Sequence, residues 1–200
     1  MGKLTLLGMN LPLKVSSRYA LKEWDAQVQI LLAGQHAVLI RKGGIIEKNL
    51  EFEIEHRAFF LYPTHLHQNK LELKPEHHAL LKENAADSEV VFSGFAEVQA
   101  VWKIENLDVA LQLETFQALS QKAIERRFNY RNKPYLHVLL LKVSRLEYAF
   151  QLHETPEMMG CVSWVPLDQV HTRVASPVRS EAQLQQVFQQ LVELLGQPNA

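Results

Sequence analysis

Two groups of ionisable side chains in this chain have types and spacing that could do chemistry. The first is basic and aromatic: Arg126, Arg127, Arg131 and Lys133 interleave with Phe128 and Tyr130. Guanidinium forks pair with phosphate oxygens, and aromatic rings stack on unpaired bases. Arg41-Lys42, just before Gly43-Gly44, adds two more cations. The predicted ligand-binding set is therefore Arg41, Lys42, Arg127, Arg131 and Lys133, with Phe128 or Tyr130 stacking if exposed. The competing reading buries both rings and pairs the arginines with Glu51, Glu53 or Glu55.

The second group is acidic. Glu51, Glu53 and Glu55 alternate with Phe52, Ile54 and His56, so on a strand the three carboxylates share a face. They repel one another unless cations answer them. Glu72-Leu73-Lys74 has the Glu-x-Lys spacing of metal-dependent nucleases, in which acids hold Mg²⁺ and a lysine assists the attacking water. With Glu53 or Glu55 as the preceding acid, this defines an alternative function. It is a metal-dependent phosphodiesterase using Glu53, Glu55, Glu72 and Lys74 with Mg²⁺ or Mn²⁺; outside that alternative no cofactor is expected. His65 and His67 would share a strand face at a spacing zinc can use. A third ligand would have to come from His56, His77 or His78 through folding. A third reading is a structural or assembly protein with no ligand.

Other chemistry is excluded by spacing or composition. Lys42-Gly43-Gly44 lacks the Gly-x-x-x-x-Gly-Lys-Ser/Thr pattern of a phosphate loop, and no Gly-x-Ser-x-Gly is present. The formal net charge is -1, so any nucleic-acid contact needs a local patch. A single cysteine, Cys161, excludes an internal disulfide and a multi-cysteine zinc site, which suits a cytoplasmic protein. No apolar run approaches the length of a membrane span. With 47% hydrophobic and 22% charged residues in 200, the chain is expected to be globular. An N-terminal arm over 1–16 and a single α+β domain over 17–200 are expected.

The elements that must position these groups follow from periodicity. Ser17 predicts a helix cap, with a helix over 18–33 carrying Leu21, Trp24, Val28, Leu31 and Leu32 as its apolar stripe. Gly34 falls where a left-handed C-terminal cap belongs. Strands are predicted over 36–41, 51–61, 89–105, 135–145 and 161–165. Tyr62-Pro63-Thr64 stops the second, and Pro166 closes the last. Gly94 predicts a bulge or bend. Short helices are predicted over 77–85 and 116–123. The final helix opens on Ser180 with Gln183 three residues on, the spacing of a capping box. Leu184, Val187, Phe188, Leu191, Val192 and Leu195 form its apolar face, and Gly196 and Pro198 end it. Strands occur consecutively rather than alternating with helices. That predicts an α+β protein with a mixed or antiparallel sheet or small barrel, and helices at both chain ends.

The stretches ALKEW, LLAGQ, LIRKGGI, FEIEHRAFFLYPTHLHQ, RFNYRNKPYLHVLLLKVSRL and GCVSW resemble an uncharacterised bacterial family, domain of unknown function 1802, familiar from cyanobacteria. The resemblance spans most of the chain and implies no established activity. A second, fold-level similarity is to the ASCH branch of PUA-like barrels, RNA-associated domains with Gly-x-Lys-x-x-Glu-x-Arg after a helix. Gly34 and Arg41 occupy the terminal slots, while His36 replaces the lysine and Leu39 the glutamate. Together these readings predict a binding module for RNA or another phosphate-bearing ligand.

Overall fold

The computed structural model describes residues 11–42, 56–82, 89–160 and 162–199, with the side chain of Arg131 outside that description. Glu51, Glu53, Glu55 and Cys161 also lie outside the described residues.

Among the described residues, six strands form one mixed sheet: β1 Leu13–Trp24, β2 Val38–Arg41, β3 Ala58–Thr64, β4 Glu89–Ile104, β5 Leu136–His153 and β6 Trp164–Pro177. Their order is β2-β5-β4-β3-β1-β6, and β5 also pairs with β6, which bends the sheet into a ring without closing a barrel. Only β1 and β3 run parallel; the other pairings are antiparallel. The helices are α1 Asp25–Leu32, α2 Leu107–Gln112, α3 Gln121–Phe128, α4 Pro156–Met159 and α5 Glu181–Leu195. The α+β class and mixed sheet agree with the sequence reading.

The helix predicted over 18–33 is half strand. Ser17 caps nothing: its hydroxyl donates to the Ala58 carbonyl at 2.8 Å and accepts from the Tyr19 amide. Up to Trp24 the chain pairs with β3 on one side and β6 on the other. Those distant partners override the local three- and four-residue spacing of Leu21 and Trp24. Helix begins at Asp25 and ends at Leu32, and the chain turns off it at Gly34 (φ 67°). There the Gly34 amide donates to Leu31 and that of Gln35 to Ile30, a Schellman closure.

The last strand is also longer than predicted. Pro166 does not close it: Pro166 faces Tyr19, and the extra residues of a bulge in β6 itself then bring His171 opposite Ser17. β6 therefore runs on to Pro177, and β5 continues as strand beyond Arg145 to His153. Likewise Pro63 stays inside β3, opposite Glu23.

At Gly94 the β4–β5 register shifts, with the extra residues on β5: Phe92 faces Phe150 and Gly94 faces Arg145. A Cβ there would lie 2.8 Å from Leu32 Cδ2 and 3.0 Å from Leu61 Cδ1, so any side chain at 94 would have to push these two leucine ends aside. One face of the sheet buries Trp102, Val138 and Leu140 against α5, α2 and α3. A second cluster seats Leu31 and Leu32 on Phe59, Leu61 and Val143. A third, around Phe60, Phe92 and Phe95, fills the other end. The α5 capping box is complete, with Ser180 and Gln183 bonded reciprocally.

A candidate ligand-binding hollow

The ends of β1 and β2, the turn after β3, the short 3₁₀ segment Lys70–Glu72 and α3 meet around a hollow of about 640 Å³. Strand geometry explains why β1 contributes. Lys22, Glu23 and Trp24 close the strand as the chain turns into α1, and Glu23 and Trp24 sit in register with Pro63 and Thr64 of β3. β2 delivers Arg41 and Lys42 at its own end. α3 delivers Arg126 and Arg127, because its inward positions are taken by Ala123, Ile124 and Phe128.

Among the described residues, five cations (Lys22, Arg41, Lys42, Arg126 and Arg127) and two carboxylates (Glu23 and Glu72) line this hollow. Each carboxylate is buried and engaged. Glu23 Oε2 accepts from Arg41 Nη1 at 2.7 Å, and its Oε1 accepts from Gln27 at 2.7 Å and the Trp24 amide at 2.9 Å. Glu72 accepts from Arg126 through one oxygen and from Arg127, at 3.4 Å, through the other. Arg127 also donates to the Ile40 carbonyl at 3.3 Å and stacks 5.2 Å above the Trp24 ring. Burial pushes the Arg127 pKa down from its ordinary value. Glu23 opposes that shift, while Arg41 and Arg126 add to it.

The cations divide by how much of each remains for a ligand. The ammonium of Lys42 spends its three donors on the carbonyls of Phe128, Lys133 and Tyr135 and lies 4.1 Å over the Tyr135 ring. Burial and the neighbouring Lys133 charge lower its pKa. Lys42 therefore fastens the turn after α3. Lys22 donates to the Met158 and Gly160 carbonyls and fastens α4. Arg41 donates to Glu23, to the Lys22 carbonyl and to the Ser163 hydroxyl. Arg126 differs: its side chain is 62% exposed while its partner Glu72 is 7% exposed. It stands at the mouth.

The predicted set is thus brought together in part. Arg41, Lys42, Arg127 and Tyr130 line the hollow, and Tyr130 is 53% exposed. Phe128 is core, 4% exposed, so Tyr130 is the exposed ring of that pair. Lys133 is exposed beside the turn and does not line the hollow. The side chain of Arg131 lies outside the description. Sequence reasoning missed Lys22, Glu23 and Trp24, because it placed them on a helix. Ala20-Leu21-Lys22-Glu23-Trp24 carries no two-residue alternation, so no local strand signal marked them.

Of the alternative acidic set, Glu53 and Glu55 lie outside the described residues. Glu72 faces two guanidinium groups, and Lys74 does not line the hollow; its charge acts on His36 and His77 instead. His67 lines the hollow with φ 61°, while His65 Nδ1 lies 4.0 Å from Asp25 on the neighbouring wall. Among the described residues, no group of three or more His, Cys, Asp or Glu side chains is arranged to hold a metal ion. No described helix is long and apolar enough to cross a membrane.

Fold and site together define an α+β domain with a cation-lined hollow at the strand ends. The chain belongs to the family described as Domain of unknown function (DUF1802), whose profile matches residues 20–190. No curated protein matches the sequence. Among solved structures, a mutant of ASCH from Zymomonas mobilis is similar at 10% identity and a TM-score of 0.42, covering 86% of this chain and 94% of that one. The ASCH structure from the same organism gives 12% identity and a TM-score of 0.40, covering 86% and 93%.

Proposed function

We propose that this protein is a binding module for a phosphate-bearing ligand, and that single-stranded RNA is the ligand class that suits the hollow. The observation that carries the reading is convergence. Lys22, Arg41, Lys42, Arg126 and Arg127 come from three separate stretches of chain, yet they surround one cavity in which cations outnumber carboxylates. Trp24 and the exposed Tyr130 supply aromatic surface beside them. A base would lie against a ring, and a phosphate would meet Arg126 at the mouth. The inner arginines, already paired, hold the shape and supply field rather than direct contacts.

Glu72 has both oxygens turned to guanidinium groups. A carboxylate so held is a poor metal ligand, so binding rather than cleavage is the reading favoured. The test is fluorescence anisotropy of a mixed-sequence single-stranded RNA, with and without Mg²⁺ or Mn²⁺. Binding that falls about 20-fold between 50 and 200 mM salt is expected for roughly three phosphate contacts. No binding at low salt removes the reading. Metal-dependent loss of intact RNA replaces it with the phosphodiesterase.

A further inference from the structure

A second cavity, of about 430 Å³, lies between the turn at 35–37, the 3₁₀ segment Leu113–Phe116 and α5. It shares no lining residue with the hollow. Its polar wall is built by His36, Thr115, Arg179, Gln183, Gln186 and Gln190. The glutamines recur at i, i+3 and i+7 on one face of α5; Gln183 spends its amide oxygen on the Ser180 amide, which leaves its amide N–H groups and the carboxamides of Gln186 and Gln190 to the space. Among the described residues, no carboxylate lines it.

Arg179 is the anomaly. It is partly buried, its Nη2 donates to the Gln35 carbonyl at 2.8 Å, and its Nε–H is buried without an acceptor. It makes no ion pair with an Asp or Glu among the described residues. Burial lowers its pKa, and no acid counters the shift. A charge withdrawn from water with a donor unmatched is unfavourable unless an anion offsets it. The neighbouring His36 does not add a second charge at neutral pH. Burial, together with Lys74, His77 and Arg179, lowers its pKa to about 4, against a weaker opposing pull from Glu76. Its ring sits edge-on to His77 at 5.9 Å and carries one donor and one acceptor. One fixed positive charge therefore faces a wall of neutral groups that both donate and accept.

We propose that this cavity is a second ligand site, which takes a small oxyanion, carboxylate or phosphate, borne on a neutral polar body. Arg179 is the counter-charge. The glutamine carboxamides and the Thr115 hydroxyl meet hydroxyls or amides on the body, and Phe116 and Val187 give apolar contact. The volume falls within the range of metabolite-sized sites. The site stands independently of the RNA reading.

The buried Nε–H of Arg179 exchanges slowly with water, so it gives a resolved proton–nitrogen NMR signal, assignable by its loss in Arg179→Lys. Inorganic phosphate and acetate are titrated separately at constant ionic strength, with chloride as the control. A saturable shift in either is expected, and which one responds identifies the head group. A signal that moves no further in phosphate and acetate than in chloride overturns the proposal. Gln186→Glu is the second variant, because it places a carboxylate on the cavity wall. It is expected to raise the melting temperature without added anion and to abolish the response to phosphate and acetate. A lowered melting temperature with the anion response intact overturns the proposal. RNA anisotropy is expected to be unchanged in both variants, which separates this site from the hollow.

Discussion

Arg127 in the hollow and Arg179 beneath α5 are both guanidinium groups removed from bulk water, and the protein treats them in opposite ways. Arg127 is matched by Glu72, by a backbone carbonyl and by the Trp24 ring. Arg179 has one carbonyl and a buried donor with no acceptor. The first arrangement is complete without a ligand, so a ligand there competes for cations already in use. The second is incomplete without one. A positive cavity is therefore not in itself a binding site: what matters is how much of the charge is already answered. In the hollow that surplus resides mainly in Arg126, and in the smaller cavity it resides in Arg179.

The largest expected effect breaks the first arrangement. Glu72→Gln leaves Arg127 buried without its carboxylate. Removing one partner of a buried pair costs about 3 kcal/mol, which for a chain of this size lowers the melting temperature by roughly 6–12 °C. The same change frees Arg126, so RNA affinity should rise as stability falls. Calorimetry and anisotropy on one preparation check both. A variant as stable as the parent would mean the pair is not held as described. Next in size is Arg126→Ala, which keeps the core intact and removes the exposed cation at the mouth. A loss of about tenfold in RNA affinity is expected, with the melting temperature nearly unchanged. Smaller again is Gln186→Glu, expected to raise the melting temperature by about 2 °C through partial pairing with Arg179.

The contrast also shows what the sequence could and could not reveal. The α5 capping box and the left-handed Gly34 were legible because each depends on residues within a few positions. Arg41, Arg127 and Tyr130 were legible as a basic and aromatic group from composition alone. Lys22, Glu23 and Trp24 were not. Their spacing fits a helix, and only pairing with β3 and β6, 40 to more than 140 residues away, makes them strand. The extent of β6 was hidden for a similar reason. Pro166 reads as a stop, and only pairing with the distant β1, resumed at His171 after a bulge in β6, carries the strand on. The saturation of Lys42 by three carbonyls depends on the turn after α3 and has no sequence signal. The α5-side cavity was invisible too, since its glutamines read simply as the polar face of a surface helix.

The smallest expected effect sharpens the comparison through pH. His36 lines the Arg179 cavity, and its pKa is lowered to about 4; that of the buried His137, elsewhere in the core, is lowered to about 4 by burial with Lys103 and Lys42. An unfolded chain binds protons at these positions below about pH 6.5, while the folded chain refuses them until about pH 4. Their contribution to stability is therefore fully present above pH 6.5 and lost progressively as pH falls toward 4. Urea midpoints at about pH 7.5 and pH 5 should show a drop in the parent and a smaller one in His36→Gln, the remainder belonging partly to His137. Equal drops would show that His36 titrates normally and that the cavity is wetter than its walls suggest. An anion beside Arg179 would cancel part of the positive field at His36. Added phosphate or acetate should then raise the pKa of His36 and shrink the drop in the parent, with little effect on His36→Gln.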